Sequence, residues 1–172
     1  EFAELFRYLR KNVRGIGQVT LSVHCHDDLG MAVANSLMAV VTGARQVECT
    51  LNGIGERAGN CSLEEVVMAL KTREAFFSAR TQVDTTRLYP ASRLLANITG
   101  TVIPRNKAVV GENAVSSQSR VQEHGLLEHR GTYQIMRPQD VGVARTGAVL
   151  DRDSSAQALR ERVRDLGFEP GD

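Results

Sequence analysis

Residues 19–30 read Val-Thr-Leu-Ser-Val-His-Cys-His-Asp-Asp-Leu-Gly, an apolar run that ends in two histidines separated by one residue. The β-branched and apolar side chains predict a buried strand over Gln18 to His24. Residues two apart in a strand project to the same face, so the imidazoles of His24 and His26 point to one side and Cys25 to the other. Two imidazoles suit Zn, Mn, Fe or Co and leave coordination positions for a carboxylate, water and substrate oxygens. The alternative is a strand end that carries two ordinary histidines.

Helix and strand patterns alternate around this run. Ser62-Leu63-Glu64-Glu65 has the sequence of a capping box at the start of a helix. Short connections between alternating elements require a parallel sheet covered by helices, and two strands cannot form such a sheet alone. We predict an amphipathic helix over Glu1 to Val13, followed by the strand described above. An apolar and largely buried helix is predicted next, over about Leu29 to Thr42, with Asp27 or Asp28 as its cap. A strand over Gln46 to Thr50 and a helix from Ser62 to about Arg73 complete the series.

The histidine pair and the glycine-rich segment at 52–60 each follow the carboxyl end of a predicted strand. A (β/α)8 barrel places its chemistry at that end of its strands. We therefore predict an α/β fold, the carboxyl-terminal portion of a (β/α)8 TIM barrel over residues 1–80, followed by a small, mainly helical subdomain over 81–172. Its helices are predicted over Pro90 to Ile98, Ala114 to Arg130 and Ser154 to Leu166, with a loop over Gly100 to Gly111.

Composition excludes several classes of partner. The 172 residues are 42% hydrophobic and 24% charged with a formal net charge of +1, so there is no electrostatic argument for nucleic acid or an anionic membrane surface. No apolar stretch approaches the roughly 20 residues that span a bilayer. Three cysteines without Cys-x-x-Cys spacing indicate reduced, buried thiols in a cytoplasmic protein. The chain begins inside a helix, so we expect it to be part of a longer protein.

The glycine-rich loop, residues 52–60, reads Asn-Gly-Ile-Gly-Glu-Arg-Ala-Gly-Asn. Glycine allows positive φ and a close approach of backbone to a ligand, so we expect Asn52, Gly53 and Gly55 to bind substrate. A phosphate loop is excluded because the Gly-Lys-Ser/Thr ending is missing. The alternative is a glycine-rich turn that only admits the next helix.

Taken together, these motifs closely resemble the 2-isopropylmalate synthase family. That family belongs to the metal-dependent aldolase and lyase barrels, which also include homocitrate, citramalate and methylthioalkylmalate synthases. The resemblance covers about residues 1 to 142. It rests on His24 to Leu37, the glycine-rich loop, Ser62 to Leu70, Asp84 to Tyr89, Asn106 to Gly111, and Tyr133 to Gly142.

The resemblance implies that acetyl-CoA condenses with a 2-oxo acid, 2-oxoisovalerate, to give 2-isopropylmalate in leucine synthesis. A divalent metal (Mn, Zn or Mg) would chelate the oxo acid, and a base would remove a methyl proton from acetyl-CoA. By match to the family, His24 and His26 are metal ligands, Asn60 approaches the metal or its water, and Glu56 lies close to the substrate. Tyr133 matches a tyrosine near the reacting carbonyl, contributed by the partner in a homodimer; alternatively it is a half-buried packing residue. The implied location is the cytoplasm, or an organelle stroma if the parent protein carries a transit peptide.

The chain departs from the family in two places. The first-strand Asp-Arg-Glu signature, whose aspartate is the third metal ligand, is not in these residues, and Asp151-Arg152-Asp153 is a poor substitute for it. We therefore expect the chain alone to fold poorly or to associate through exposed apolar faces. Gln122 stands where the family has a histidine proposed for acid-base work, and an amide does not titrate near neutral pH. His124 is the alternative acid-base group, unless it is only a solvated helix histidine.

Two other functions stay open at this stage. The chain could belong to a related synthase that uses pyruvate, 2-oxoglutarate or a methylthio-oxo acid. It could also be a catalytically inactive module that binds metal or a partner, for which Gln122 is the main argument.

Overall fold

The structure, a computed structural model, describes residues 1–115, 135–143, 156–165 and 167–169. The chain divides into two compact units, Glu1–Asp84 and Thr85–Asp172. No helix in these described ranges is long and apolar enough to cross a bilayer.

The first unit alternates helix and strand in the predicted order. Its elements are α1 (Phe2–Asn12), β1 (Ser22–His24), α2 (Ala32–Val41), β2 (Gln46–Glu48), α3 (Leu63–Thr72) and α4 (Glu74–Phe77). The strands β1 and β2 pair in parallel, with Val23 opposite Val47 and His24 opposite Glu48. The predicted parallel pairing is therefore confirmed, and α2 provides the crossover between the two strands.

The core of the first unit lies where α2 contacts α1, α3 and both strands. Small side chains on α2, Ala32 and Ala39, are fully buried and allow this close approach. Phe6 of α1 and Val23 of β1 pack into the same cluster with Cys25 and Cys61, as do Val40, Ala44, Val66 and Leu70. The prediction that α2 is largely buried was wrong for its outer face, where Met38 and Val41 are exposed.

Two element starts differ from the sequence prediction. The first strand begins at Ser22 rather than at Gln18, and Gln18 belongs to a 3-10 turn over Ile16–Gln18 that follows Gly15, where φ is 81°. The second helix begins at Ala32 because Asp27 to Gly30 form a turn, closed by a 2.9 Å bond from the Gly30 N–H to the Asp27 carbonyl. The N-cap position is Met31, whose side chain makes no capping hydrogen bond. Asp27, one of the two predicted caps, satisfies the first donor of the helix, because its carboxylate oxygen accepts the Ala32 N–H over 2.9 Å.

The predicted capping box at Ser62 is wrong. Ser62 precedes α3, but its side chain makes no capping hydrogen bond. Its hydroxyl instead lies toward the glycine-rich loop, only 2.7 Å from where a Cβ on Gly53 would stand. Tertiary packing against the loop therefore replaces the local cap.

The second unit contains α5 (Leu88–Thr99), α6 (Glu112–Val115) and α7 (Ala156–Asp165) in its described part. A 3-10 turn over Thr85–Arg87 leads into α5, which therefore begins two residues before Pro90. Gly100 ends α5 in a left-handed conformation, and an irregular stretch follows as predicted. Of the helix predicted over Ala114 to Arg130, only the first residues lie inside the described ranges. Leu88, Val110 and Val141 are the most buried apolar residues of this unit.

Candidate metal centre and the glycine-rich loop

The structure brings His24 and His26 together on one face. Their ring centroids are 5.0 Å apart with the rings at 72° to each other. Val23 and Cys25, which alternate with them, are buried in the core, while both histidines are exposed. The strand alternation inferred from the sequence therefore places two imidazoles side by side at the carboxyl end of β1.

Glu48 is a neighbour of His24 that sequence reasoning missed. Its Oε2 lies 3.6 Å from His24 Nδ1, and its Oε1 accepts a 2.9 Å hydrogen bond from the Ser22 hydroxyl. A carboxylate beside one ring nitrogen orients an imidazole and leaves Nε2 on the opposite edge of the ring for a ligand. The parallel register of β1 and β2, which pairs His24 with Glu48, is the feature that could have identified this neighbour.

Asn60 is held beside His26 by backbone pairing. The two residues form an isolated antiparallel bridge. On either side of it, the Asp27 N–H donates to the Gly59 carbonyl over 2.9 Å and the Cys61 N–H donates to the Cys25 carbonyl over 3.1 Å. The last residue of the loop is thereby fixed against the segment that carries the histidine pair.

The glycine-rich loop folds back on itself through close contacts between its two ends. A Cβ on Gly59, which has φ 100°, would stand 2.0 Å from the Gly53 carbonyl oxygen, so only glycine fits. A Cβ on Gly55 would stand 2.4 Å from Asn60 Nδ2. The Asn60 N–H donates to the Gly53 carbonyl over 3.0 Å, and its side-chain amide donates to the Ile54 carbonyl over 3.2 Å. Gly53 and Gly55 thus contact Asn60, and the role of Asn52, Gly53 and Gly55 toward substrate stays a prediction.

An ion pair joins the loop to the turn after the histidines. Arg57 donates to both carboxylate oxygens of Asp28 over 2.7 and 2.8 Å. These hydrogen bonds lower the pKa of Asp28 and raise that of Arg57. Glu56, the predicted substrate neighbour, is 83% exposed with its Oε2 3.9 Å from Arg57 Nη1. Its carboxylate is accessible to a ligand in solution.

The three cysteines are free thiols. Cys25 and Cys61 are buried in the core cluster, and burial raises the pKa of the Cys61 thiol to about 11. Cys49 is half-buried, and its pKa is raised by burial and then by the charge of Glu64. Burial of Cys25 and Cys61 fits the predicted role of small buried side chains.

The donor chemistry of His24, His26 and Asn60, the candidate metal centre, fits a divalent cation. Asn60 Oδ1 is buried and accepts no hydrogen bond within the described part of the chain. A buried carbonyl oxygen that lacks a donor is available to a cation, and imidazole nitrogens suit Zn or Mn. The described residues hold no cluster of three or more His, Cys, Asp or Glu side chains for a metal. A metal bound here would therefore need a further ligand from outside these residues, and the aspartate of the family signature stays a prediction.

Several predicted residues lie outside the described ranges. These are Tyr133, His124, Gln122 and the Asp151-Arg152-Asp153 segment.

Comparison with known proteins assigns the family. Residues 1–95 match the HMGL-like family model, and residues 109–172 match the model described as homocitrate synthase post-HMGL domain-like. The chain belongs to the HMGL-like family. The family is one of α/β TIM barrels, in agreement with the parallel strands and covering helices of the first unit.

The matched relatives are 2-isopropylmalate synthases. The chain is 55% identical over 170 residues to that of Aquifex aeolicus (strain VF5), covering 98% of this chain and 33% of the relative. It is 52% identical over 168 residues to that of Xylella fastidiosa (strain M23), covering 98% of this chain and 32% of the relative. It is 52% identical over 172 residues to that of Syntrophus aciditrophicus (strain SB), covering 100% of this chain and 33% of the relative. The predicted family is confirmed, and the chain spans about a third of the length of the curated relatives that it matches.

Proposed function

We propose that this chain is part of an acyltransferase of the 2-isopropylmalate synthase type, which condenses acetyl-CoA with 2-oxoisovalerate to give 2-isopropylmalate. The observation that carries the proposal is the placement of His24, His26 and Asn60 side by side in a chain 52% to 55% identical to such synthases. The chain would supply two imidazoles and an amide oxygen to a site completed by other parts of the protein.

The residues of the candidate metal centre would hold a divalent cation, Mn, Zn or Mg. His24 and His26 would ligate it, with Glu48 orienting the first imidazole and Asn60 presenting its buried Oδ1. When bound, the cation would polarise the ketone of the oxo acid as a Lewis acid. The backbone of Gly53 and Gly55, which carries no side chain, would allow substrate to approach the loop.

We assign the remaining chemistry to residues beyond the histidine pair. Glu56 would contact the substrate, and its exposed carboxylate supports this placement. Tyr133 would act near the reacting carbonyl, and His124 would take the acid-base role that Gln122 cannot perform. Removal of a methyl proton from acetyl-CoA would give the enolate that attacks the ketone, and hydrolysis of the thioester would then release CoA.

The proposal extends to architecture and assembly. Residues 1–80 would be the last βα units of a TIM barrel, and 81–172 a mainly helical subdomain. The protein would act in the cytoplasm as a homodimer with acetyl-CoA and a 2-oxo acid as its ligands. Light scattering on the full-length protein tests the assembly: a monomer at enzyme-assay concentrations would contradict the homodimer.

Calorimetric titration tests the metal centre. The full-length protein is titrated with Mn²⁺ or Zn²⁺ and compared with a His24→Ala, His26→Ala double variant. His129→Ala is the control, because it removes an imidazole that belongs to no predicted site. We expect the double variant to lose binding and His129→Ala to retain it. Equal binding by all three proteins would remove the metal centre from the proposal.

A second candidate is a homocitrate-type synthase, which the name of the family model matching residues 109–172 favours. Release of free thiol from acetyl-CoA separates the two when 2-oxoisovalerate, 2-oxoglutarate and pyruvate are compared as substrates. Highest kcat/KM with 2-oxoisovalerate supports the leading proposal. Highest kcat/KM with 2-oxoglutarate supports the homocitrate type.

A further inference from the structure

Glu64 is a fully buried carboxylate in the first turn of α3. Its Oε2 accepts a 3.0 Å hydrogen bond from the backbone N–H of Asn52, at the start of the glycine-rich loop. Burial of a carboxylate is costly unless hydrogen bonds and opposite charge compensate it. The first turn of a helix supplies partial positive charge, so this position favours a buried anion. Sequence patterning had assigned Glu64 only to a helix cap.

The hydrogen bond that Glu64 accepts from the Asn52 N–H lies at a left-handed turn of the loop. Asn52 has φ 60° and ψ 7°, and Gly53 follows with φ 71°. Two successive left-handed residues are uncommon, although Asn tolerates this conformation better than most side chains. A buried acceptor on the Asn52 N–H holds the peptide plane that enters the turn. The direction of the Gly53 carbonyl depends on that plane together with the left-handed angles of Asn52 and Gly53.

Gly53 connects the turn at Asn52 to Asn60. Its carbonyl accepts the Asn60 N–H over 3.0 Å. The Asn60 side chain is held by its bond to the Ile54 carbonyl, which belongs to the same loop. Because Asn60 Oδ1 accepts no hydrogen bond within the described part of the chain, its position depends on this loop geometry.

The helix α3, which carries Glu64, is itself anchored at its start. The Leu63 N–H donates to the Thr50 carbonyl over 2.9 Å, and Thr50 and Ser62 form a parallel bridge. The start of α3 is thus tied to the chain immediately before the loop. A site residue supported from a rigid helix is held more closely than one on a loop alone.

We propose that Glu64 is a positioning residue of the candidate metal centre, whose buried carboxylate fixes the glycine-rich loop so that the Asn60 amide stays beside His26. The effect on cation binding and turnover rests on the proposed function. The effect on the loop rests only on the contacts of Glu64 with Asn52 and of Gly53 with Asn60.

Two substitutions in the full-length protein separate positioning from fold. Glu64→Met keeps the length of the side chain and removes the acceptor, whereas Glu64→Gln keeps an acceptor oxygen. Glu65→Met and Glu65→Gln are matched controls, because Glu65 is the adjacent acidic residue in the same helical turn. Amide hydrogen exchange over residues 50–62 and Mn²⁺ titration are measured on all four variants and the parent.

We expect Glu64→Met to accelerate exchange at Asn52 and Asn60 and to weaken Mn²⁺ binding about 10- to 100-fold, the range for lost support of a metal ligand. Glu64→Gln should recover most of the affinity, and the Glu65 variants should match the parent. A folded Glu64→Met protein with parental exchange and affinity overturns the proposal. If Glu64→Met does not fold, Glu64→Asp decides, because it keeps the charge and shortens the reach to the Asn52 N–H: faster loop exchange than in a matched Glu65→Asp variant supports positioning, and equal exchange overturns it.

Failure of the proposed function gives a different result. If the parent protein binds no Mn²⁺, the metal centre fails while the exchange comparison still tests whether Glu64 orders the loop. If the parent binds Mn²⁺ and the Glu64 and Glu65 variants bind it equally, the metal centre stands and Glu64 has no positioning role.

Discussion

Gly55 lies against the side-chain amide of Asn60. A Cβ added at Gly55 would stand 2.4 Å from Asn60 Nδ2, whereas one added at Gly17 would meet no atom within 4 Å. We expect Gly55→Ala to displace the Asn60 amide and weaken Mn²⁺ binding about 10-fold. The melting temperature should change little, because the obstructing atom is the end of a side chain. Calorimetry against Gly17→Ala checks this, and unchanged affinity in Gly55→Ala would exclude Asn60 from the metal centre.

Gly59 differs from Gly55 because its Cβ would meet backbone. The added atom would stand 2.0 Å from the Gly53 carbonyl oxygen, at φ 100°. Gly59→Ala should therefore lower the free energy of unfolding by about 2 kcal/mol or more, since both strain and steric overlap oppose it. Gly100→Ala is the control: φ is 69° there and a Cβ would meet nothing within 4 Å. Denaturant unfolding that shows equal losses for the two variants would contradict the predicted overlap.

Cys49 reports on the charge of Glu64. Burial raises the pKa of the Cys49 thiol, and the Glu64 carboxylate raises it further. Glu64→Gln should lower this pKa, so more thiolate is present at a given pH and alkylation by iodoacetamide is faster near neutral pH. Peptide-resolved mass spectrometry over pH 7 to 10 measures the rate, with Glu65→Gln as control. A rate profile shifted along the pH axis supports the charge effect, whereas a higher plateau without a shift would indicate a loosened loop.

At the scale of elements, Asp27 and Asp28 have separate structural tasks. Asp27 caps α2 through the Ala32 N–H, and Asp28 pairs with Arg57 on the glycine-rich loop. We expect Asp27→Ala to lower the free energy of unfolding by about 1 kcal/mol, the usual loss for a helix cap. Asp27→Asn should lose less because an acceptor oxygen remains. Denaturant unfolding in which Asp28→Ala costs as much as Asp27→Ala would contradict this division.

Arg57 bridges two loops that approach the candidate metal centre. Its pair with Asp28 is exposed, so its contribution to global stability is small. Arg57→Gln should leave the melting temperature nearly unchanged and accelerate amide exchange at Glu56 to Gly59. Arg14→Gln is a control, because Arg14 is an exposed arginine outside these loops. Equal exchange in the two variants would show that the ion pair does not order the loop.

The sequence predicted the type and order of the helices and strands better than the residues at which they begin and end. Periodicity identified α1 and the order of helix and strand, because amphipathic spacing reflects which face meets the core. It placed the start of the first strand at Gln18 rather than Ser22, because the apolar and β-branched residues Val19 to Leu21 continue the strand pattern. The break predicted at Arg14 to Gly17 agrees with the left-handed Gly15 and the 3-10 turn over Ile16–Gln18.

Sequence reasoning predicted the site residues whose placement depends only on neighbouring positions in the chain. His24 and His26 share a face because strand geometry alone determines it. Glu48 depends on the register of a second strand, and Glu64 on packing of a helix against a loop. A Ser-x-Glu-Glu sequence at a helix start is compatible with a cap and with a buried loop support, so local pattern could not separate them.

At the scale of the whole molecule, the described residues form fewer strands than the eight of a (β/α)8 barrel. The sheet they form has two strands, and a two-stranded sheet is marginally stable in water unless other elements cover and pair it. Exposed apolar side chains such as Val19 and Met31 lie near the sheet and its following turn. The curated relatives are about three times as long as this chain, which is consistent with further strands in the same sheet.

The ligand set of the candidate metal centre predicts how cation affinity should depend on chain length. His24, His26 and Asn60 supply two imidazoles and one amide. The described residues hold no cluster of three or more His, Cys, Asp or Glu side chains for a metal. We expect Mn²⁺ to bind the full-length protein at least about 10-fold more tightly than the 172-residue chain. Binding to the folded state raises stability by about 2.7 kcal/mol at 100 times the Kd, so Mn²⁺ should raise the melting temperature of the full-length protein and EDTA should reverse the rise. His24→Ala should abolish this effect. Equal affinity in the two lengths of chain would mean that these three residues and solvent complete the site without a further protein ligand.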